Sequence, residues 1–487
     1  MKQALPPTPP TKGKKRGNRQ KKGGTLPKTT TAHSVPGLSP LTPRQVALNF
    51  LIQWESARGE VSFERSFLKD IRDRAFANEL IQGVIRHRSF LDWIIQHATK
   101  QKNPPTPLSL RCALRLGCYQ LYFLDRTPSY AAIYETVDLV KKTAGIKPSN
   151  FANAVLRTVQ RKQKTQEPVI PAGSSLKHIS ISTSHPEWLV NRWLERWGEK
   201  KTRKLCQYNN QKPPLTLRVN TLRQDRETLQ EILQKEGIVS TPSPLSKDTL
   251  FLSKGENFLY SKAFQEGLFY IQDEGAQFIS PLLDPTPGER ILDVCSTPGG
   301  KTTHLAQLME NKGVIVALDL FEKRLSLLKE NLKRLGIGIV KTHRMDATKD
   351  LSSLGLERFQ KVLVDAPCSG LGVLRRHPEG KWKKEERIIQ EYSKRQDRIL
   401  KQVAPLVNPG GFLVYSTCST EPEENEERIH HFLKDHPHFF KNDIIFSKIP
   451  HIEVFRTEEG FFSTLWNSHN MDFFFAAVLQ KYPGEAQ

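Results

Sequence analysis

The stretch Asp293-Val-Cys-Ser-Thr-Pro-Gly-Gly-Lys301 decides the fold of this chain. It follows the apolar run that begins at Arg290 and precedes a helical pattern, which predicts a strand that turns into a helix. Two later segments also follow apolar runs: Asp365-Ala-Pro-Cys-Ser369 and Ser416-Thr-Cys-Ser419. Apolar runs that alternate with helical patterns predict an open α/β sheet covered on both faces. Because ligands bind beyond the carboxyl ends of such strands, we expect the three segments to share one crevice.

Length and composition restrict the class of protein. The chain has 487 residues, too many for one core, and its formal net charge of +22 favours a polyanionic partner such as nucleic acid. Its six cysteines form no C-x-x-C pair, so we expect no metal site and a reducing compartment. The sequence has neither a run long enough to span a bilayer nor a signal-peptide pattern. We therefore expect a soluble cytoplasmic protein without a membrane partner.

Composition and periodicity divide the chain into five segments. Residues 1–41 contain nine Lys or Arg and no acidic residue, which predicts a disordered basic tail. Helical periodicity after the pair Thr42-Pro43, an N-cap followed by proline, predicts an all-α domain over 42–163. The remaining predictions are a polar linker over 164–183, a small α+β domain over 184–280 and an α/β Rossmann-like domain over 281–482.

The glycine-bearing turn in the first segment predicts a cofactor site. Glycines let a ligand approach the backbone, and the following helix N-terminus favours an anionic group. The pattern is neither G-x-G-x-x-G nor the P-loop of nucleotide triphosphatases. Asp319, at the tip of the next predicted strand, could hold a ribose diol, and Asp346, at the tip of the third, could contact the base. Together these residues predict an adenosine-type cofactor.

Two cysteines follow neighbouring predicted strands. Such strands lie about 4.8 Å apart, so Cys368 and Cys418 could share one pocket. Inert core residues or a redox couple are the alternatives, and the polar setting of both cysteines argues against inert core. The spacing from Thr420 to Glu423 fits a capping box, which would favour a thiolate at Cys418, whereas the neighbouring glutamates would oppose it. The sequence leaves open which effect wins.

These residues resemble the Sun-type family of RNA cytosine-C5 methyltransferases, and in particular its RsmB type, which acts on bacterial small-subunit rRNA. The resemblance covers roughly residues 43–482 and is carried by specific motifs. They are Asp365-Ala-Pro-Cys-Ser-Gly-Leu-Gly-Val-Leu-Arg-Arg-His-Pro378, Ser416-Thr-Cys-Ser-Thr-Glu-Pro-Glu-Glu-Asn425 and, resembling the RNA-binding factor NusB, Pro128-Ser-Tyr-Ala-Ala-Ile-Tyr-Glu-Thr-Val137 and Phe151-Ala-Asn-Ala-Val-Leu-Arg157. The resemblance implies a NusB-like helical RNA-binding domain, a small α+β RNA-binding subdomain and an S-adenosylmethionine-dependent methyltransferase domain. Ser296-Thr297 replaces two alanines usual in the family.

The resemblance also implies catalytic roles. Cys418 would add its thiolate to C6 of cytosine, which makes C5 carbanion-like and able to take the methyl group. Cys368 would assist release, and Asp365 would bind the ring edge. S-adenosylmethionine would be bound by Cys295, Ser296, Thr297, Pro298, Gly299, Gly300, Lys301, Asp319, Asp346 and Asp365. A position of Lys301 against the substrate instead is left open.

The implied substrate is 16S rRNA before or during subunit assembly, and we expect a monomer. The same chemistry on tRNA or on another rRNA site is an alternative, because those enzymes share the motifs. A non-catalytic RNA-binding assembly factor is a second alternative, which the presence of both Cys368 and Cys418 argues against. A DNA cytosine methyltransferase would use Cys368 as its nucleophile and would not need the second motif.

Overall fold

A computed structural model gives the structure of this chain and describes residues 41–57, 68–99, 107–166, 175–254, 258–352, 355, 357–466 and 469–483. The described residues lie in a compact unit that begins at Leu41. The predicted tail over 1–41 therefore falls, apart from Leu41, outside them. Within the described ranges, no helix is both long and apolar enough to cross a membrane. In the same ranges, no cluster of His, Cys, Asp and Glu side chains could hold a metal ion.

The N-terminal part is all-helical, as predicted. Its helices are α1 (Pro43–Ser56), α2 (Ile71–Arg86), α3 (Arg88–Thr99), α4 (Leu108–Phe123), α5 (Ser129–Ala144) and α6 (Ile146–Lys164). Thr42 caps α1, since its hydroxyl accepts from the Gln45 amide at 3.3 Å and the Gln45 side chain accepts from the Thr42 amide at 2.7 Å. Apolar stripes of all six helices meet in one core that includes the fully buried Leu48, Leu114 and Leu156.

The structure differs from the linker predicted over 164–183. Helix α7 (Ser175–Thr183) occupies its second half and packs against α8 (Glu187–Asn209). Ile179 of α7 is fully buried in that contact. The polar composition of the segment concealed this apolar residue, so a docked helix was mistaken for a linker. Residues 167–174 lie outside the described part of the chain.

The small α+β domain contains an antiparallel sheet with strand order β2-β3-β1-β4. Its elements are β1 (Leu215–Val219), α9 (Arg226–Lys235), β2 (Val239–Pro242), β3 (Thr249–Lys254), α10 (Lys262–Gln265) and β4 (Phe269–Ile271). Alternate strand residues and one face of α9 form its core, where Leu217, Leu229 and Phe269 are fully buried. The short helix α11 (Glu274–Gln277) leads into the last domain.

The C-terminal domain is built on a second sheet with the order β10-β12-β9-β8-β5-β6-β7. Its strands are β5 (Arg290–Val294), β6 (Val314–Asp319), β7 (Val340–Arg344), β8 (Phe359–Asp365), β9 (Val407–Thr417), β10 (Phe439–Lys441), β11 (Phe462–Ser463) and β12 (Phe475–Lys481). Strands β9, β8, β5, β6 and β7 are parallel, whereas β12 runs antiparallel to β9. The short β11 pairs with β12.

Helices cover both faces of this sheet, as expected for buried parallel strands. They are α12 (Gly300–Leu308), α13 (Glu322–Leu335), α14 (Arg387–Val403) and α15 (Glu426–Asp435). One apolar cluster packs α12 and α13 on the sheet, and another packs α14 and α15 on it. The chain proceeds outward from β5 to β6 and β7, and then returns to β8 on the other side of β5. This reversal of strand order opens a crevice at the carboxyl ends of β5 and β8.

Candidate active site

A cavity of about 360 Å³ lies at this crevice. The sequence predicted some of its walls: Ser296, Thr297, Pro298, Gly300, Lys301 and Asp365. Asp293, which begins the segment placed at this crevice from the sequence, also lines it. Other walls were not predicted: Tyr270, Gln272, Asp273, Arg376, His377, Asp472 and Phe474. The loop after β5 and the end of β8 therefore meet where the sequence analysis placed them, and the domain before them contributes one side of the cavity.

The loop after β5 is shaped by its glycine. Gly299 has φ +107°, and a Cβ there would approach Leu328 Cδ1 to 2.5 Å, so the position excludes larger residues. The loop is anchored below by Thr302, whose hydroxyl donates to Asp293 Oδ2 at 2.5 Å. Asp293 Oδ1 has no hydrogen-bond partner among the described residues. Burial raises the pKa of this carboxyl to about 7, and the Thr302 hydrogen bond opposes the rise.

Asp319 contacts that loop, and Asp346 lies at the end of the next strand. Asp319 ends β6 and accepts hydrogen bonds from the Thr297 hydroxyl and, at 3.0 Å, from the Phe321 amide. Asp346 follows β7 and accepts from the Thr348 hydroxyl at 2.7 Å. Partial burial would raise the pKa of Asp346, but its hydrogen bonds to Thr348 lower it. Both carboxylates stand at neighbouring strand ends, the geometry expected for a site that binds an adenosine.

The two cysteines are in contact. Asp365 of β8 lies opposite Ser416 of β9, and the Ser416 hydroxyl donates to Asp365 Oδ1 at 3.0 Å. This parallel register brings the segments that follow the two strands side by side. The Sγ atoms of Cys368 and Cys418 are 3.3 Å apart, and the Cys418 amide donates to Cys368 Sγ at 3.3 Å.

The surroundings make the two thiols unequal. The hydrogen bond with Cys368 lowers the pKa of Cys418, burial and Asp365 oppose this, and the cations Lys301 and Lys384 add to the lowering. The same hydrogen bond, with burial, raises the pKa of Cys368. Lys301 reaches from α12 to Asp365, with Nζ 2.7 Å from Oδ2. These surroundings therefore favour the anion at Cys418 over the anion at Cys368.

The capping box expected at Thr420 does not form. The Thr420 hydroxyl donates to Glu421 Oε1 at 2.7 Å, and α15 begins only at Glu426. The acidic neighbours do not oppose the thiolate freely either, because Glu421 and Glu423 both accept from the guanidinium of Arg192 on α8. The pKa of Cys418 is instead lowered by the partner thiol and by two lysines, neither of which was weighed from the sequence.

Glu424 joins the two cysteine-bearing loops. It is fully buried, and Oε1 accepts from the Ser369 amide at 2.8 Å, while Oε2 accepts from the hydroxyls of Ser369 and Ser419. Burial raises the pKa of its carboxyl, which these hydrogen bonds oppose. Glu424 belongs to a motif that the sequence analysis quoted, but its partners lie 55 and 5 residues away, so its role was not predictable locally.

Comparison with known proteins agrees with this architecture. The family model for 16S rRNA methyltransferase RsmB/F matches residues 280–480. The NusB family model matches residues 41–161, and the model of the RsmF/B-like ferredoxin-like domain matches residues 185–258. The three matches follow the order of the three folded parts described above.

Individual proteins match over most of the chain. The probable ribosomal RNA small subunit methyltransferase B of Bacillus subtilis (strain 168) is 34% identical over 446 residues, which span 90% of this chain and 98% of that protein. Ribosomal RNA small subunit methyltransferase B of Salmonella agona (strain SL483) is 36% identical over 369 residues, spanning 75% and 83%. The crystal structure of PH0851 superposes with a TM-score of 0.73 at 28% identity, covering 91% and 100%. This chain therefore belongs to the RsmB/F family of 16S rRNA methyltransferases.

Proposed function

We propose that this protein methylates C5 of a cytosine in 16S rRNA, with S-adenosylmethionine as the methyl donor and Cys418 as a covalent nucleophile. The observation that carries the proposal is the contact between Cys418 and Cys368, whose pKa values are displaced in opposite directions. A thiolate beside a protonated thiol is the arrangement needed to attack a ring carbon and later to leave it. The family membership and the small-subunit rRNA named for the relatives support the choice of substrate.

The residues around the cavity fit the proposed cofactor. The α12 N-terminus suits the carboxylate of its methionyl part, and the unpartnered, buried Oδ1 of Asp293 offers an acceptor to an ammonium group. We assign binding of the cofactor to the loop Cys295–Lys301, with Asp319 at the ribose, Asp346 at the adenine and Asp365 at the edge of the site. The bound cofactor supplies an electrophilic methyl group on a sulfonium.

Cys418 begins the reaction. Its thiolate forms a bond to C6 of a cytosine that has left its stack, and the electrons of the C5–C6 double bond move to C5. Asp365, held by Lys301 and Ser416, binds the polar edge of the ring and orients it. C5 then forms a bond to the methyl carbon as the carbon–sulfur bond of the sulfonium breaks. In this assignment, Lys301 joins the cofactor loop to Asp365 on the substrate side of the site.

Release completes the cycle. C5 loses its proton to a water molecule, the electrons of that bond restore the double bond, and the bond between C6 and Cys418 breaks, which leaves the electron pair of that bond on the sulfur. The Cys368 thiol donates to the departing Cys418 sulfur and stabilises it as a thiolate, in the geometry already present at 3.3 Å. Without Cys368, the adduct should form but should leave slowly.

Mutation of each cysteine tests the chemistry. Cys418→Ala should abolish a denaturation-resistant RNA–protein adduct, whereas Cys368→Ala should accumulate it, as measured by gel shift after incubation with radiolabelled 16S rRNA and S-adenosylmethionine. Cys112→Ala is the control, because Cys112 is a buried thiol in the helical core, remote from the cavity. An adduct that persists in Cys418→Ala and is lost in Cys368→Ala would reverse the assigned roles.

Bisulfite sequencing tests the substrate. Total rRNA and tRNA from cells with and without this gene should differ at one 5-methylcytosine in small-subunit rRNA. Loss of a modified site in tRNA or in large-subunit rRNA would retain the chemistry and replace the substrate. No loss at any site would favour the non-catalytic assembly factor instead.

A further inference from the structure

A buried lysine of the catalytic domain reaches into the helical part of the chain. Lys381 is fully buried, and its Nζ lies 3.3 Å from the carbonyl oxygen of Arg86, 3.3 Å from that of Ser184 and 2.7 Å from Asn210 Oδ1. An ammonium has three donors, and here each has an acceptor. Within the described ranges, no carboxylate forms an ion pair with it. The cost of burying Lys381 is thus offset by its hydrogen bonds to α2, to the turn before α8 and to the residue after α8.

The neighbouring residue makes the same connection. Trp382 Nε1 donates to the Ile85 carbonyl of α2 at 2.7 Å, and the Arg88 guanidinium lies 5.2 Å from the centre of the Trp382 ring. In the opposite direction, Arg86 donates to the carbonyl of Arg375 at 2.8 Å. Hydrogen bonds therefore pass both ways between the end of α2 and this segment.

The same segment contacts both cysteine loops. Lys384 donates to the carbonyl of Ser369, the residue after Cys368. The Gly372 amide donates to the carbonyl of Cys418 at 2.8 Å. A Cβ at Gly372 would lie 2.8 Å from that oxygen, so only glycine allows the two backbones to approach this closely. Residues 369–384 thus connect the two thiols at one end with the helical domain at the other.

We propose that the helical domain sets the position of the Cys368 loop through Lys381 and Trp382, which are positioning residues for methyl transfer. The proposal rests on the proposed function and adds a second role to a domain whose family resemblance implies RNA binding. A sulfur displaced by a fraction of an ångström changes the 3.3 Å contact between the two thiols, which contributes to the lowered pKa of Cys418 and stabilises the departing sulfur. Loosening the segment should therefore slow chemistry even when RNA is fully bound.

The variant Trp382→Phe tests this with a small change. It removes the hydrogen bond to Ile85 and keeps an aromatic ring for Arg88. We expect the single-turnover rate of methyl transfer, at saturating RNA and S-adenosylmethionine, to fall roughly tenfold. The Kd for RNA should stay within about twofold of the wild type, and the pH midpoint for iodoacetamide alkylation of Cys418 should rise.

Tyr260→Phe is the matched control. It also removes one hydrogen bond between the helical and following domains, the bond from Arg74 to the Tyr260 hydroxyl at 2.7 Å, but far along the chain from the cysteines. Its rate and alkylation midpoint should equal those of the wild type. Equal rates and midpoints for Trp382→Phe and Tyr260→Phe, or a change in the Kd for RNA alone, would overturn the positioning role. An inactive wild-type protein would refute the proposed function itself and this inference with it.

Discussion

Two fully buried cations support the two halves of the crevice in opposite ways. One half is the loop after β5, and the other is the pair of loops that carry Cys368 and Cys418. Arg218, from the ferredoxin-like domain, enters the catalytic domain and donates to the Gly300 carbonyl at 2.6 Å and to the Thr303 hydroxyl at 2.8 Å. Lys381 extends out of the catalytic domain and donates to the end of α2 in the helical domain and to the residues that flank α8. The loop after β5 is thus held by a side chain from another domain. The two cysteine-bearing loops are held by a lysine of their own domain, which is anchored on other domains.

The chemistry of the two side chains suits these tasks. The planar guanidinium of Arg218 donates to several acceptors along α12, and the compact ammonium of Lys381 donates to acceptors that converge from separate elements. Burial lowers the pKa of Arg218 to about 9 and also lowers the pKa of Lys381. Among the described residues neither cation has a carboxylate in ion-pair contact, so their value lies in the hydrogen bonds. Removing one cation should therefore disturb only the loops that it supports and should leave the other loops in place.

The largest expected effect is on the cofactor half. Arg218→Met removes the hydrogen bonds from the guanidinium to the Gly300 carbonyl, at 2.6 Å, and to the Gln307 side chain, which accepts from Nε at 2.9 Å. We expect the Kd for S-adenosylhomocysteine, measured by calorimetry, to rise about 10- to 100-fold, since charged hydrogen bonds contribute about 1.5–3 kcal/mol. Lys381→Met should leave that Kd within about twofold. Equal losses in both folded variants would show that the two supports are not separate.

An intermediate effect, on the pH dependence of the rate, is expected at Lys301, which links the loop after β5 to Asp365. Lys301 starts from α12 and lowers the pKa of Cys418, so Lys301→Met should raise that pKa. The rising limb of methyl-transfer rate against pH, which reports formation of the thiolate, should move upward by about one unit. The control Lys323→Met changes an exposed lysine at the start of α13 and should leave the profile in place. If the rising limb did not move in Lys301→Met, Cys368 and Lys384 alone would account for the lowered pKa of Cys418.

The remaining prediction concerns the stability of the fold rather than catalysis. Asp293 has a pKa of about 7 in the folded protein and an ordinary value of 3.8, so the folded state holds the extra proton between these values. Stability should therefore fall as pH rises through this interval and be constant above it, by roughly 2 kcal/mol between pH 5 and 7. Asp293→Asn keeps an acceptor for Thr302 and lacks this dependence. Its melting temperature should gain on that of the wild type as pH rises from 5 to 8, and a constant difference would contradict the assignment.

The strand-tip residues were predictable because a parallel sheet converts local order into proximity. An apolar run ends, a polar residue follows, and neighbouring strands bring Asp365 and Ser416 opposite each other. The same logic placed Cys368 beside Cys418. The side chains that tune these residues were not predictable, since Arg192 and Arg218 arrive from other domains with no local pattern to mark them.

Local patterns also misled where a short-range rule had a competitor. Thr420 and Glu423 have capping-box spacing, but the chain forms a 3₁₀ turn over Pro422–Glu424, and α15 begins after it. The segment before α8 resembled a linker because most of its residues are polar, proline or glycine. Its apolar residue Ile179 becomes buried only by packing against α8. In both cases tertiary contacts overrode composition.

The three acceptors of Lys381 have a consequence for the order in which the protein is made. Arg86, Ser184 and Asn210 all precede Lys381 in the chain, so a ribosome releases the whole receiving surface before it releases the lysine. A buried cation gains its partners only when that surface is already assembled. We therefore expect Cys368 and Cys418 to reach their final positions last, after the elements that carry the three acceptors have folded.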